Sequence, residues 1–183
     1  LEGNGRKIGL VIGGGKPARE GIQLAEHLVT DRYQLDEIGI AATRLNATIL
    51  QIMLAEIGCN VADVVPTSTD AAAALFDRFD VVVMGGTKPG HTTDAVSVAF
   101  ARDSGAANVI IATNVSHVYT ADPRTNDDAE PIDMLTLSEL QDITGKEALA
   151  PGQSAAVDPI AVQWAIECGL RIGVLDGRDI RRI

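Results

Sequence analysis

VVVMGGTKPGHTTDA, residues 81–95, is the stretch that decides the fold. Val81 to Met84 are four consecutive apolar, mostly β-branched residues, the composition of a strand buried on both faces, and small and polar residues follow at once. The chain is therefore expected to leave the sheet at Gly85. Gly85 and Gly86 allow a tight turn and the close approach of a ligand, Thr92 and Thr93 are suited to cap a helix, and Val96, Ala99 and Phe100 stand at helical spacing. A strand, a glycine turn and a helix start make an anion site: unpaired amides and the positive end of the helix dipole favour phosphate, and Lys88 adds a mobile positive charge. The same pattern also describes an ordinary strand-to-helix connection.

A second unit of this kind precedes it. Lys7 to Ile12 reads as a short buried strand ending in Gly13, Gly14 and Gly15, and Ala18 to Val29 carries Ile22, Ala25, Leu28 and Val29 at helical spacing. Lys16 and Arg19 sit where their side chains can return to an anion held by the loop amides. The glycines do not form a dinucleotide fingerprint, because Ala18 stands three positions after Gly15 and no acidic ribose-binding residue follows a second strand.

Between these units, Asp36 to Glu56 predicts a long helix whose apolar face is Ile38, Ala42, Leu45, Ile49, Ile52 and Met53, with Thr43, Arg44 and Asn46 in other directions. Asp36 is expected just before this helix, either accepting from a ligand hydroxyl or serving the helix start, and Arg44 as a surface or interface ion-pair residue. A short strand over Val61 to Val65 and a helix over Thr69 to Phe79 complete a βαβ rhythm. Beyond the Gly105 stop, Asn108 to Ala112 predicts another buried strand, running into TNVSHVYTADP at 113–123. Thr113, Asn114 and Asp122 then lie beyond the carboxyl end of a parallel strand, the edge where open α/β sheets bind ligands. Tyr119 is either a stacking platform for a base or a half-buried loop aromatic. His117 reads as a loop residue, since His27 and His91 complete no metal spacing with it. Thr136 with Glu139 is a capping box for a helix over Leu137 to Ile143, Gly145 to Ser154 a flexible connection, Asp158 and Pro159 the start of a helix ending at Gly169, and Arg171 to Leu175 a last strand.

At 183 residues and 46% hydrophobic, the chain has the material for one substantial core, and its length favours a single domain over 1–183. A formal charge of −10 argues against nonspecific binding to nucleic acid or to an anionic membrane, so phosphate needs a local site. Cys59 and Cys168 stand far apart with no ligand cluster, which indicates neither a disulfide framework nor a zinc module and fits a reducing cytoplasm. No uninterrupted apolar run approaches the roughly 20 residues that span a bilayer, and the first residues lack a signal-peptide apolar region. A soluble, cytoplasmic protein is expected.

Four segments, GGGKPAR at 13–19, DEIGIAATRLNA at 36–47, VVVMGGTKPGHTTDA at 81–95 and TNVSHVYTADP at 113–123, stand in the order and spacing of the amino acid kinase family. The chain resembles that family, and within it the archaeal type of uridylate (UMP) kinase. The resemblance implies a three-layer α/β/α sandwich with a mainly parallel sheet, and transfer of the γ-phosphoryl group of ATP to UMP with Mg2+ as helper. It places Gly14, Asp36, Lys88, Pro89, Gly90, His91, Thr92, Thr93 and Asp94 around UMP. Gly15 and Arg19 fall near the transferred phosphates, and Thr113, Tyr119 and Asp122 at ATP. Arg19 and Lys88 are the expected electrostatic catalytic groups, without a protein general base or a protein metal site. It further implies a homohexamer, and a preceding strand with a glycine loop and a closing strand outside these 183 residues. The sequence departs from the family at Ser116 and His117, where uridylate kinases usually have Asp-Gly, and at Gln163, where archaeal relatives usually have lysine. The alternatives are a related kinase of another small phosphate or carboxylate, or a nucleotide- or oxyanion-binding protein without transfer.

Overall fold

The computed structural model describes residues 6–121, 125–145, 147 and 156–179, and the chain divides into two compact units, 1–105 and 106–183. The first is built on β1 (Ile8–Val11) and β2 (Val81–Met84), which pair in parallel from Ile8 opposite Val81 to Val11 opposite Met84. All four β2 residues are buried, as the run of valines predicts. Alternation sends Val82 and Met84 to one face, where they meet Ala72 of α3 (Thr69–Ala74) and Val96 and Phe100 of α4 (Thr93–Ser104). Val81 and Val83 go to the other, against Ala47, Leu50 and Leu54 of α2 (Arg32–Glu56). The strand pair is thus covered by helices on both faces, a three-layer α/β/α arrangement within this unit. α1 (Gly15–Ala25) packs along α2.

Several boundaries differ from the sequence reading. α2 begins at Arg32, capped by the Asp31 side chain on the Tyr33 amide at 2.9 Å, so Asp36 lies inside the helix rather than before it. Its buried residues are Ile40, Thr43 and Ala47, while Leu45, Ile49, Ile52 and Met53 of the expected core face are each at least half exposed. Apolar residues surround this helix, so periodicity alone does not choose the face. By length and composition α2 could cross a membrane, although no uninterrupted apolar run marked it in the sequence; here it is the helix that covers one face of β2. Val61 to Val65 contributes only a single bridge from Val61 to Val81. The Thr69 to Phe79 helix tightens after Ala74 into a 3-10 turn over Leu75–Asp77. α1 starts three residues earlier than predicted and ends at Ala25, and β1 is half-buried rather than buried. Lys7 Nζ donates to Asp80 at 3.0 Å and Asn60 Nδ2 to the same carboxylate at 3.0 Å, tying the chain ahead of β1 to the chain ahead of β2.

The second unit carries β3 (Asn108–Thr113) and β6 (Arg171–Asp176), paired in parallel with Thr113 opposite Asp176. β3 alternates exposed and buried residues, where the sequence predicted burial throughout. β4 (Val118–Tyr119) and β5 (Pro131–Ile132) form a short antiparallel pair. α5 (Leu137–Thr144) has the predicted reciprocal cap of Thr136 and Glu139. α6 (Pro159–Cys168) starts on the buried Asp158 side chain, which accepts from the Ile160 amide at 2.6 Å, and stops at Gly169 in the left-handed conformation. Most of the Gly145 to Ser154 connection lies outside the described residues.

Candidate functional site

Because β1 and β2 are parallel and end level, with Ile12 N donating to Met84 O at 2.9 Å, the loops after them leave the same sheet edge. The first loop, Gly13 to Gly15, runs directly into α1, with Gly14 at the N-cap. The second turns through Lys88, Pro89, Gly90 and His91. Gly90 has φ +82° and the His91 amide reaches back to Lys88 O at 3.4 Å, the geometry of a type II turn with proline and glycine at its centre. Thr92 then caps α4, accepting from the Ala95 amide at 3.2 Å, while Thr93 is the first helical residue and Asp94 stands in the first turn. A Cβ placed on Gly13 would lie 3.9 Å from Thr93 Oγ1, so the first glycine loop and the start of α4 are neighbours. Two helix N-termini therefore converge on one edge, an arrangement that favours anions.

Lys88 and Arg19 are exposed beside these loops. Lys16 turns instead to Glu20 at 3.4 Å, one helical turn away. Asp36 accepts from the Gly90 amide at 2.9 Å through Oδ2, so it orders the second loop from within α2. Oδ1 of the same carboxylate accepts from no protein group among the described residues, and can take a ligand hydroxyl.

Three α2 side chains meet the same loops: Thr43 and Asn46, which the sequence left without a role, and Arg44, expected in an ion pair. Thr43 Oγ1 donates to Ile40 O at 2.6 Å and accepts from the Gly86 amide at 2.7 Å, both buried. Arg44 forms no ion pair among the described residues: its Nε donates to Gly86 O at 3.2 Å and one terminal nitrogen to Thr87 O at 3.0 Å. Asn46 Nδ2 donates to Gly13 O at 2.9 Å and to Gly14 O at 3.0 Å. The available signal was a set of polar residues clustered in an otherwise apolar helix.

In the second unit, Thr113 ends β3, and Tyr119 lies in β4 with its hydroxyl 3.2 Å from Ser116 Oγ. His117 Nδ1 is 2.9 Å from the same oxygen, its ring stands edge-on to Tyr119 with centroids 6.3 Å apart, and its Nε2 is 3.6 Å from Asp133. Ser116 and His117 thus brace the tyrosine. Asp122 lies outside the described residues. Arg178, which the sequence reading did not single out, forks onto Asp176 at 2.8 and 2.7 Å and donates to Asn114 O at 3.0 Å. Hydrogen bonding to the Asp176 carboxylate, reinforced by its charge, raises the Arg178 pKa above its ordinary value. Gln163 donates to Glu167 along the exposed side of α6 at 3.0 Å.

The sequence pattern of the amino acid kinase family matches residues 1–176, across both units. The chain belongs to the amino acid kinase family. This amino acid kinase is 41% identical to a uridylate kinase of Methanococcus vannielii over 97% of its own length and 77% of that protein's. It is 42% identical to a uridylate kinase of Halorubrum lacusprofundi, over 98% of its own length and 73% of that protein's. Its fold matches the crystal structure of uridylate kinase from Archaeoglobus fulgidus with a TM-score of 0.81 at 37% identity, covering 94% of this chain and 76% of that one.

Proposed function

We propose that this amino acid kinase transfers the γ-phosphoryl group of ATP to the phosphate of UMP, giving UDP and ADP. The observation that carries the reading is the pair of glycine loops at one sheet edge, each opening a helix N-terminus. The acceptor is chosen from the kinship to uridylate kinases. Gly14, Asp36 and Lys88 to Asp94 hold UMP, with Asp36 Oδ1 on a ribose hydroxyl. Gly15 and Arg19 serve the transferred phosphate, and Thr113, Tyr119 and Asp122 hold ATP.

In the reaction an oxygen of the UMP phosphate forms the new bond to the γ-phosphorus, the bond from that phosphorus to the β-bridging oxygen breaks, and ADP leaves with the electron pair. The attacking oxygen is already ionised at neutral pH, so no side chain has to remove a proton. The protein's task is alignment and neutralisation of two anions, by the loop amides with Arg19 and Lys88 as mobile cations. Mg2+, when bound with ATP, offsets charge on the β- and γ-phosphate oxygens.

We further propose a cytoplasmic homo-oligomer, a hexamer as the resemblance implies, with the exposed α2 stripe of Leu45, Ile49, Ile52 and Met53 against copies of itself. A coupled ADP-release assay with UMP, CMP and no acceptor tests the chemistry. UMP-dependent release is expected, and release that ignores the acceptor would refute it.

A further inference from the structure

Arg44 and Asn46 hold four consecutive-loop carbonyls, those of Gly13, Gly14, Gly86 and Thr87, on the α2 side. Every described peptide is trans, and in a planar trans peptide the N–H points opposite to the C=O of the same unit. Fixing those carbonyls therefore turns the amides of Gly14, Gly15, Thr87 and Lys88 away from α2. None of these four amides donates to a protein acceptor among the described residues. The Gly14 carbonyl also accepts from the Ala18 amide at 3.2 Å, so α1 shares in holding that plane. Released from Arg44 and Asn46, the planes after Gly13, Gly86 and Thr87 could rotate, and a carbonyl oxygen presented to a phosphate would repel it.

We propose that Arg44 and Asn46 are positioning residues that set the direction of the phosphate-binding amides in both glycine loops, so that one helix aligns the two anion sites. They act through the loops, since the nitrogens named above are engaged by the protein's own carbonyls. The division of labour follows from the bonds. Arg44 sets Thr87 and Lys88, on the acceptor loop, while Asn46 sets Gly14 and, together with the first turn of α1, Gly15. Arginine suits its place because a planar fork reaches two carbonyls at once, which a lysine ammonium on a flexible stem does not reproduce. The identity of the ligand rests on the UMP reading; the aim of the amides does not.

The test uses Arg44→Lys, which keeps the charge and loses the fork, and Asn46→Ala, which removes both donated hydrogen bonds without adding a charge. Calorimetry with UMP, uridine and inorganic pyrophosphate is read beside the urea unfolding midpoint. Expected is a loss of UMP and pyrophosphate affinity of about tenfold or more, the scale of one hydrogen bond to a charged group, with uridine affinity changed less than about twofold. A purely structural role would weaken uridine and UMP alike, and that result, or unchanged UMP affinity in a folded variant, overturns the proposal. If Asn46→Ala does not fold, Arg44→Lys decides alone. A parent protein that binds pyrophosphate without preferring UMP removes the acceptor assignment only; a tenfold pyrophosphate loss in the variants then still supports the positioning role.

Discussion

Gly85→Ala isolates the contact on which the geometry of the site depends. A Cβ at Gly85 would lie 2.7 Å from Thr43 Oγ1, 2.8 Å from Arg44 N and 2.9 Å from Thr43 C. Two of these three atoms are helix backbone, so no rotamer change relieves the clash, and β2 and α2 must separate locally. Overpacking of this kind costs roughly 1–3 kcal/mol. Gly85 is not among the glycines with positive φ, so alanine meets no backbone penalty and gains roughly 0.4–1 kcal/mol from a less disordered unfolded chain. The strain outweighs that gain. Separation also stretches the buried bond from the Gly86 amide to Thr43 Oγ1, and an unsatisfied buried amide adds roughly 1–3 kcal/mol. A net loss of about 1–5 kcal/mol is expected in equilibrium urea unfolding followed by circular dichroism. Gly13→Ala is the internal control: its nearest neighbour would be 3.9 Å away and its φ is not positive, so it should be neutral or stabilising by up to about 1 kcal/mol. A Gly85→Ala protein as stable as the parent would refute the reasoning, as would an equal loss in both variants.

Asp36→Ala should weaken UMP binding by roughly 1–3 kcal/mol while ATP binding changes little; equal weakening of both nucleotides in calorimetry would remove Asp36 from the acceptor side. His117→Gly, which releases the contacts to Ser116 and Tyr119, should leave turnover intact or raise it, and a loss of orders of magnitude with ATP binding retained would make His117 catalytic. Acid should destabilise the fold. The Asn60 side chain, then Lys7, holds the Asp80 carboxyl below its ordinary range, and the Thr136 amide, then its hydroxyl, does the same for Glu139. Both folded pKa values are depressed, so the stabilisation is complete above the unfolded values and is lost as pH falls through the folded ones. The urea midpoint should hold down to about pH 5 and drop below about pH 4, and a midpoint that rises on acidification would contradict this.

What was legible in the sequence is local. The β2 valines, the exit at Gly85, the Thr92 cap, the Thr136–Glu139 box and the Asp158–Pro159 start are each decided by residues within a few positions, and the structure has them as read. The orientation of α2 is not local. Ile40, Ala47, Leu50 and Leu54 satisfy a helical stripe as well as Leu45, Ile49 and Ile52 do; the choice is made where Thr43 lets Gly85 and Gly86 approach the helix. The helix start at Asp31 escaped notice because no apolar period extends back to Arg32, and that displaced Asp36 from a cap to a helical position facing Gly90. Val61 to Val65 has strand composition but pairs only through Val61, so β propensity there was overridden by tertiary context. The roles of Arg44 and Asn46 depend on carbonyls more than thirty positions away, and the local pattern carries only their clustering with Thr43 in α2.

The most direct measurement is to follow the label from ATP carrying a marked γ-phosphate in the presence of UMP and Mg2+, separating the products by ion-exchange chromatography. The account predicts label in UDP, one UDP formed for each ADP, and no labelled product when UMP is omitted. Label released as inorganic phosphate, or retained in ATP with UMP but transferred to a different acceptor, would contradict it.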